Sequence, residues 1–340
     1  MTDPAAVAAR FALPGRVVAV EPLGRGLIND TWRLVTTEAR GVLQRLNGAV
    51  FPRPDRIMAN LRIVSRHLAA APIRLPQPIP PVDGGDLVVA DGHAWRLLEH
   101  LPGITLTALR DLHDAAALGR SLGKLHRGLA DLDPGRLHDT LPGFHEMAHY
   151  LSQFDRQLTD GPVDAETASL IEFIEARRAR ALALEETGSP RRVIHGDPKL
   201  DNVLFDPRSR TPLAWIDPDT LKPGLWLWDV GDCVRSACGA GGRFRLERAL
   251  ALLGSWWREV RPVLTRAERD WVPEAVWRLP FELGVRFLID HLAGDRYFKV
   301  NYRGENLERA RGQFALTAAI ERQGGELARE WRRLSAAPGR

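Results

Sequence analysis

The residues best suited to chemistry lie between Val193 and Asp217, where carboxylate and amide side chains follow one another at short spacing. Phosphoryl transfer asks a protein mainly to position its substrates and to neutralise charge. We therefore predict that Asp197 orients an acceptor hydroxyl and takes its proton. Asn202 and Asp217 offer the oxygen ligands that Mg²⁺ prefers, and we predict that they hold the ion against nucleotide phosphates. The ammonium group of Lys199 can reach the transferred phosphoryl group as a point charge.

A loop, a strand, a turn and a second strand must bring these side chains together. The β-prone run 203–205 follows Asn202, and a second apolar run, 213–216, ends at Asp217. The register matches the kinase catalytic-loop pattern H-x-D-x-x-x-x-N, followed by a metal-binding aspartate. The alternative is a polar hairpin whose His, Asp and Asn side chains only satisfy buried backbone groups. Several matching positions in one register favour the catalytic interpretation.

Two further acids follow the second strand. Asp219 is a candidate second metal ligand, with a plain role in stabilising the loop as an equal alternative. Asp229 is expected to accept hydrogen bonds from the backbone of the catalytic loop and to hold that loop in shape.

The N-terminal region supplies a candidate cover for the nucleotide phosphates. Gly24 and Gly26 lie at a turn between two predicted strands, where glycines let backbone amides approach phosphate groups. A pair of glycines alone is typical of an ordinary hairpin turn, and its position upstream of a catalytic loop favours the phosphate-binding role. Asn29 and Asp30 lie at the same tip and are predicted to contact the nucleotide or the acceptor.

Protein kinases carry a phosphate-binding lysine on the third strand, paired with a glutamate of the next helix. The third predicted strand here, 41–46, carries Gln44 and Arg45 instead, and the predicted helix 54–69 has no glutamate. A hydrogen bond between Gln44 and an inward-facing Asn60 is one predicted replacement. The alternative is that Arg45 faces the nucleotide, because strand residues alternate between faces and the register stays open. A purely structural role for all three is the remaining alternative.

The predicted elements divide into an N-terminal part rich in strands and a C-terminal part rich in helices. A predicted hairpin with an Asp-Gly turn leads into a candidate hinge between the two. Backbone groups of Glu99 and Leu101 are expected to meet the adenine edge of a nucleotide there. We place the boundary near this hinge, which gives an N-lobe of residues 1–99 and a C-lobe of residues 100–340.

The last third of the chain is predicted to be helical. Arg286 and Asp290 stand four residues apart on one predicted helix, where they can pair on one face. A structural salt bridge and a role in acceptor binding are both open for this pair. The chain closes with a predicted amphipathic helix over 304–334 that is broken at Gly324 and Gly325.

The composition is that of an ordinary globular protein, with 340 residues of which 44% are hydrophobic and 26% charged. No apolar run reaches the length of a membrane span, and the first residues lack the pattern of a signal peptide, so we expect a cytoplasmic protein without membrane partners. The formal charge is +4, and the arginines are dispersed among acids, which gives no support to nucleic-acid binding. Cys233 and Cys238 are expected to be free thiols.

Several longer segments match a known pattern. HGDPKLDN at 195–202, ID-x-D at 216–219 and Asp229 resemble the aminoglycoside phosphotransferase/choline kinase-like family of small-molecule kinases. Within that family, the segments LINDT, VLQRLN, IDPDTLKPGL, WDVGD and RFLIDHLAGDRYFKV are most similar to bacterial N-acetylhexosamine 1-kinases. Gln44 in place of the kinase lysine also looks typical of this subgroup.

The resemblance implies an α+β, two-lobed protein-kinase-like fold, with a small N-terminal β-lobe that has one main helix and a large helical C-lobe. ATP would lie in the cleft, with Asp197 as catalytic base and Asn202 and Asp217 as Mg²⁺ ligands. The reaction implied is transfer of the γ-phosphoryl group to the anomeric hydroxyl of N-acetylglucosamine or N-acetylgalactosamine, which gives the sugar 1-phosphate. ATP and Mg²⁺ are the implied cofactors, and a sugar is the implied acceptor.

The same resemblance makes Arg286, Asp290 and Tyr297 candidates for contacts with the acceptor, because their segment matches. Two other functions stay open. One is a kinase of the same fold that acts on another sugar, an aminoglycoside or an amino alcohol. The other is a nucleotide-binding pseudokinase, which the missing lysine suggests and the intact Asp197, Asn202 and Asp217 disfavour.

Overall fold

An antiparallel sheet forms the N-terminal part of the protein in a computed structural model, which describes residues 2–24, 28–158 and 164–336. Its strands are β1 (Val17–Pro22), β2 (Asp30–Thr36), β3 (Arg40–Arg45), β4 (Pro78–Ile79), β5 (Val88–Ala90) and β6 (His93–Glu99). The order across the sheet is β1-β2-β3-β6-β4, and β5 also pairs with β6. The turn between β5 and β6 places Asp91 and Gly92 at φ angles of 48° and 74°, a left-handed backbone that these two residue types tolerate. The predicted hairpin is therefore confirmed.

Two helices lie against the sheet. α1 (Pro4–Ala8) begins after Asp3, whose carboxylate accepts a hydrogen bond from the Ala5 amide, and packs with the face that carries Leu43 and Trp95. α2 (Pro54–His67) buries an apolar stripe and packs with the other face, so that its core continues into the helical part of the chain.

Helices make up most of the C-terminal part. They are α3 (Leu112–Gly128), α4 (Met147–Leu158), α5 (Ala165–Glu175), α6 (Arg178–Leu182), α7 (Trp226–Cys238), α8 (Leu246–Val260), α9 (Arg266–Asp270), α10 (Val272–Leu292) and α11 (Glu305–Ala336). The predicted two-lobed, protein-kinase-like α+β fold is thus confirmed. The proposed boundary near His100 falls in the segment between β6 and α3.

Short two-stranded ribbons lie among these helices. Their strands are β7 (Arg192–Ile194), β8 (Val203–Phe205), β9 (Pro212–Trp215), β10 (Lys222–Gly224), β11 (Gly239–Ala240) and β12 (Arg243–Phe244). β8 pairs with β9, β7 pairs with β10, and both pairs are antiparallel. The predicted strand–turn–strand unit after the catalytic loop is therefore present. Because one loop links β7 to β8 and another links β9 to β10, the two ribbons bring those loops together.

The helical core is tightly packed where α3 crosses α8. A Cβ atom on Gly119 of α3 would lie 2.0 Å from the carbonyl oxygen of Leu252 in α8, so only glycine permits this approach. Cys233 and Cys238 are free and buried, as expected. Among the described residues, no helix is both long enough and apolar enough to cross a membrane.

One predicted feature is wrong. α11 continues without a break through Gly324 and Gly325, both of which are helical. Glycine in a helix interior costs about 1 kcal/mol relative to alanine. Burial of Ile320 before the pair and of Leu327 and Trp331 after it fixes both halves of the helix on the core, and this packing outweighs the intrinsic cost.

Candidate active site

The loop after β7 places Asp197 beside two of the residues that the sequence grouped with it. Lys199 Nζ lies 2.6 Å from Asp197 Oδ2. The Asn202 side-chain amide donates to the same carboxylate oxygen at 2.9 Å and to the Asp197 carbonyl at 2.8 Å. The amide nitrogen of Asn202 thus faces Asp197, and its carbonyl oxygen is the atom that can ligate a cation.

Asp217 is held next to this loop by two backbone contacts of the preceding residue. The amide of Ile216 donates to the carbonyl of Asn202 at 2.9 Å, and the His195 ring donates from Nε2 to the carbonyl of Ile216 at 3.1 Å. Asp217 itself has a left-handed backbone, with φ 61°, which turns the chain sharply at the end of β9. The contacts therefore bring Asp197, Asn202 and Asp217 to one place.

The two carboxyl groups at this site, those of Asp197 and Asp217, have pKa values shifted in opposite directions. Burial, followed by the like charge of Asp219, raises the pKa of Asp217 to about 7. Burial also disfavours the charged form of Asp197, but the Lys199 ammonium outweighs it and keeps the pKa of Asp197 below its usual value. A carboxyl group that binds a proton so readily without a cation fits a metal ligand, because a divalent cation can supply the missing positive charge.

Asp229 on α7 fixes the backbone of the catalytic loop. Its two oxygens accept hydrogen bonds from the amides of His195 and Gly196, at 2.8 Å and 2.9 Å, and Nε2 of His126 lies 3.0 Å from Oδ2. Burial alone would raise the pKa of Asp229, but these hydrogen bonds and the two histidines hold it below its usual value. The predicted supporting role of Asp229 is confirmed.

Arg96 is the main residue that the sequence analysis missed. Its buried guanidinium pairs with Asp219, and it donates to the Gln44 amide oxygen from Nε at 2.9 Å and from Nη2 at 2.7 Å. Asn29 donates to the other Asp219 oxygen at 2.6 Å. The segment that follows Asp217 is therefore bound to the sheet. An arginine inside the apolar strand HAWRLLE was the available signal.

The predicted hydrogen bond between Gln44 and Asn60 is wrong. The Asn60 amide donates instead to the carbonyls of His138 and Leu221, both at 2.8 Å. Gln44 is occupied by its neighbour across the strands, because it lies directly opposite Arg96 in the β3–β6 pairing. A charged donor on the adjacent strand thus competes better for Gln44 than a neutral amide on the helix.

Arg45 points to the opposite face of the sheet from Gln44. It lies opposite Trp95 in the strand pairing, with its guanidinium 5.9 Å from the centre of that ring, and its Nη2 atom lies 2.5 Å from Asp30. Lys299 of the helical part also contacts Asp30, at 3.2 Å. Gln44, not Arg45, therefore shares a face with Arg96 and Asp219, and nucleotide contacts of either residue stay a prediction.

The two predicted nucleotide-binding segments differ in how far the structure describes them. Gly24 has φ 72°, and no heavy atom comes within 4 Å of a Cβ built on it, whereas Gly26 lies outside the described residues. At the hinge, Leu101 packs with Leu204, Ala214 and the half-buried Ile216, an apolar floor beside the site. The Glu99 side chain pairs with Arg74 at 2.7 Å and its amide donates to the Gln77 carbonyl at 2.8 Å, so a nucleotide contact of the Glu99 backbone stays a prediction.

A cavity of about 690 Å³ opens between the sheet and the C-terminal part. Its lining includes Gly24, Asn29, Asp30, Arg45 and Lys299. Both predicted substrate residues of the N-terminal tip thus border one cavity. Their carboxylate and amide groups are engaged with protein partners, Asp30 with Arg45 and Asn29 with Asp219.

Among the residues predicted to contact the acceptor, the predicted pair of Arg286 with Asp290 is wrong. Asp290 accepts hydrogen bonds from the amides of Tyr297 at 2.7 Å and Phe298 at 2.9 Å, so it holds the following loop in place. The Arg286 guanidinium lies 3.8 Å from Glu282, four residues earlier, and within 6 Å of the ring centres of Phe144, Tyr150 and Phe298. Together with the Arg296 amide at 2.8 Å, three backbone donors already satisfy the buried Asp290 carboxylate.

The fold and this loop geometry define a small-molecule kinase. The chain belongs to the phosphotransferase enzyme family (APH), whose sequence model matches residues 19–263. It is therefore a phosphotransferase with an alcohol group as acceptor. The predicted family is confirmed, and the narrower similarity to N-acetylhexosamine 1-kinases stays a prediction.

Individual relatives cover most of the chain. A protein of Xanthobacter autotrophicus named homoserine kinase is 27% identical over 283 residues, which are 82% of this chain and 81% of that protein, and further relatives carry the same name. The solved structure of a microcompartment-associated aminopropanol kinase has a TM-score of 0.69 at 20% identity and covers 95% of this chain and 97% of that chain. An amicoumacin kinase in complex with AMP-PNP and Ca²⁺ has a TM-score of 0.61 at 14% identity, with 92% of both chains covered.

Proposed function

We propose that the protein transfers the γ-phosphoryl group of ATP to the hydroxyl of a small acceptor, with Asp197 as the catalytic base. The observation that carries this proposal is the hydrogen bond from Asn202 to Asp197, together with the backbone bond that ties Asn202 to the residue before Asp217. The carboxylate orients the acceptor hydroxyl and takes its proton as the oxygen attacks phosphorus. Lys199, at 2.6 Å from Asp197, favours the ionised base, and its ammonium group would neutralise charge on the transferred phosphoryl group.

Asn202 and Asp217 are the residues that we propose as ligands of Mg²⁺, and the ion would neutralise phosphate charge when bound. Asp219 keeps its place as a candidate ligand, although both of its oxygens already accept hydrogen bonds from Arg96 and Asn29. Gly24, Gln44, Glu99 and Leu101 are the proposed nucleotide contacts, together with Arg45 and Gly26.

We propose an N-acetylhexosamine as the acceptor, phosphorylated at its anomeric hydroxyl. Arg286, which is held among the buried rings of Phe144, Tyr150 and Phe298, supports this proposal, because guanidinium groups donate to sugar oxygens. Tyr297 packs edge-on against Phe298, at 4.8 Å between ring centres, and its exposed ring can pack against the apolar face of a sugar.

Homoserine is the second candidate acceptor. Relatives carry that name, and the charge around Arg286 favours an anionic group. Glu282 is shared among Arg278, Arg286 and the His145 ring, so one carboxylate serves several positive groups. An acceptor carboxylate would complete the pairing of Arg286.

A panel of acceptors separates these proposals. Release of ADP is measured with ATP and Mg²⁺ for N-acetylglucosamine, N-acetylgalactosamine, homoserine, aminopropanol, ethanolamine and kanamycin. The proposal expects the highest kcat/KM for an N-acetylhexosamine and a product whose phosphorus couples to the anomeric proton in ³¹P NMR. A clear preference for homoserine would reject the sugar and keep the kinase. ADP release that no acceptor stimulates would count against both acceptors.

The metal assignment has its own test. Chelation with EDTA should abolish turnover, and added Mg²⁺ should restore it. Asp217→Asn should raise the Mg²⁺ concentration needed for half-maximal activity by at least about tenfold, because a charged ligand is lost. An unchanged Mg²⁺ requirement in this variant would remove Asp217 from the proposed ligands.

A further inference from the structure

His145 is a buried histidine whose two ring nitrogens both meet oxygen atoms of other segments. Nδ1 lies 2.9 Å from Oε1 of Glu282 on α10, and Nε2 lies 2.7 Å from the carbonyl oxygen of Gly196 in the catalytic loop. Only 3% of the residue is exposed. A carbonyl and an ionised carboxylate can only accept, so the ring satisfies both by donating from both nitrogens.

Glu282 is itself fixed by charged neighbours. Arg278 donates to Glu282 and to Glu185, and it also donates to the His145 carbonyl at 2.6 Å. Burial would raise the pKa of Glu282, but the His145 and Arg278 charges outweigh it and lower this pKa to about 2. The carboxylate that faces His145 is therefore ionised and oriented.

The backbone around this contact is in conformations that most residues avoid. His145 has φ 68°, an uncommon left-handed angle for a residue other than glycine. Gly196 has φ 85°, and a Cβ atom there would lie 2.5 Å from the Thr220 carbonyl oxygen. The surrounding structure must hold His145 in this conformation, and at Gly196 only glycine fits.

The peptide group between Gly196 and Asp197 is planar, so the direction of the Gly196 carbonyl also fixes the positions of the amide nitrogen and Cα of Asp197. The Gly196 amide on one side donates to Asp229, and the Gly196 carbonyl on the other side accepts from His145. We propose that His145 is a positioning residue that sets Asp197 by fixing this peptide plane, with Glu282 orienting its ring. The inference rests on the proposed role of Asp197 as base.

The catalytic-loop partner of His145 and its helix partners come from different parts of the chain. His145 and Gly196 lie within the stretch that matches the family model, 19–263, whereas Arg278 and Glu282 lie beyond it. The catalytic loop is therefore supported by a helix outside the matched region. Asp229 holds the amide side of the loop, and the histidine with its α10 partners holds the carbonyl side.

Two replacements of His145 separate positioning from mere stability. Glutamine extends its amide nitrogen to about the place of imidazole Nε2, so His145→Gln keeps a donor for the Gly196 carbonyl. His145→Asn places its amide nitrogen near the position of Nδ1 and keeps only the contact to Glu282. Asparagine, however, tolerates a left-handed backbone better than glutamine does, so His145→Asn should unfold at the higher temperature.

We expect turnover to follow the order wild type, His145→Gln, His145→Asn, opposite to the order of stability for the two variants. His145→Asn should lower kcat at least about tenfold and leave the KM for ATP within about twofold, because only the base is misplaced. The measurements are kcat with the best acceptor of the panel, acceptor-free ADP release, and thermal unfolding. His149→Asn is the matched control, since His149 is exposed and bonded to Gln153.

Turnover that follows stability, with His145→Asn the more active variant, would overturn the proposal. If neither variant folds, Glu282→Gln decides. We expect this variant to lose about tenfold in kcat at an unchanged KM for ATP. A kcat within twofold of wild type would overturn the proposal. Asp197→Asn is measured in parallel. If that variant keeps full activity, the proposed function fails, whatever the order of the His145 variants.

Discussion

At the scale of single residues, the buried pair of Arg96 and Asp219 joins the sheet to the segment that we propose binds the metal. Removing one partner of a buried ion pair leaves the other charge uncompensated, which typically costs about 3–5 kcal/mol. We expect Arg96→Met to lower the free energy of unfolding by that amount, as measured by urea denaturation. Arg96→Met combined with Asp219→Asn should lose clearly less than the sum of the two single variants. Additive losses of the free energy of unfolding would show that the two side chains do not stabilise each other.

Glu282 should make the stability of the protein sensitive to acid. Its pKa is lowered from an ordinary 4.5 to about 2, mainly through the positive charges that outweigh its burial. The stabilisation is therefore complete above pH 4.5 and is lost as the pH falls towards 2, by about 3 kcal/mol in all. Glu282→Gln should be less stable than wild type at pH 7 and should lack this part of the acid loss. Equal acid losses in both proteins would refute this, and exposed Glu38→Gln serves as the control.

The sequence could predict that Asp197, Asn202 and Asp217 lie together, because their spacing is local, and their roles in the chemistry stay a proposal. It could not identify Arg96 or His145, because their partners lie 123 and 137 residues away. A motif records which side chains perform the chemistry. The residues that orient those side chains depend on which helices and strands pack together, and no local pattern records this.

At the scale of elements, α11 offers a direct test of packing against propensity. Gly324 and Gly325 lie in its interior, and no heavy atom comes within 4 Å of a Cβ atom built on either. Replacing both by alanine should raise the free energy of unfolding by about 1–2 kcal/mol, because alanine loses less backbone entropy in a helix. Thermal and urea unfolding measure this gain, and kcat should not change.

Gly231 of α7 provides the contrasting control. A Cβ atom there would lie 2.4 Å from the Ala275 carbonyl oxygen, so Gly231→Ala should destabilise the protein. If alanine stabilised neither α11 position, the continuous helix would be in doubt.

The predicted break in α11 was wrong because glycine pairs report only local preference. The hairpin between β5 and β6 was predicted correctly because its turn and flanking strands are encoded by neighbouring residues.

At the scale of the whole molecule, contacts between the sheet and the helical part surround the proposed site. Asp219 is bonded to Arg96 and Asn29, and Asp30 is bonded to Lys299. The division into a strand-rich and a helix-rich part could be predicted because strand and helix signals separate along the chain, whereas the two-lobed kinase-like fold was implied by the family resemblance. The acceptor could not be derived from spacing, since the residues that we propose as acceptor contacts and their neighbours come from α10, the segment before α4 and the loop at 296–298, which are distant in the sequence.

The most direct test of the proposed base compares wild type with Asp197→Asn, using exposed Asp201→Asn as the matched control in the same loop. Turnover is measured by ADP release with the preferred acceptor, and affinity for Mg²⁺-nucleotide by calorimetric titration. We predict that Asp197→Asn loses at least about 100-fold in kcat and binds nucleotide within about threefold of wild type, while Asp201→Asn matches wild type in both. If Asp197→Asn turned over within tenfold of wild type, Asp197 would not be the base.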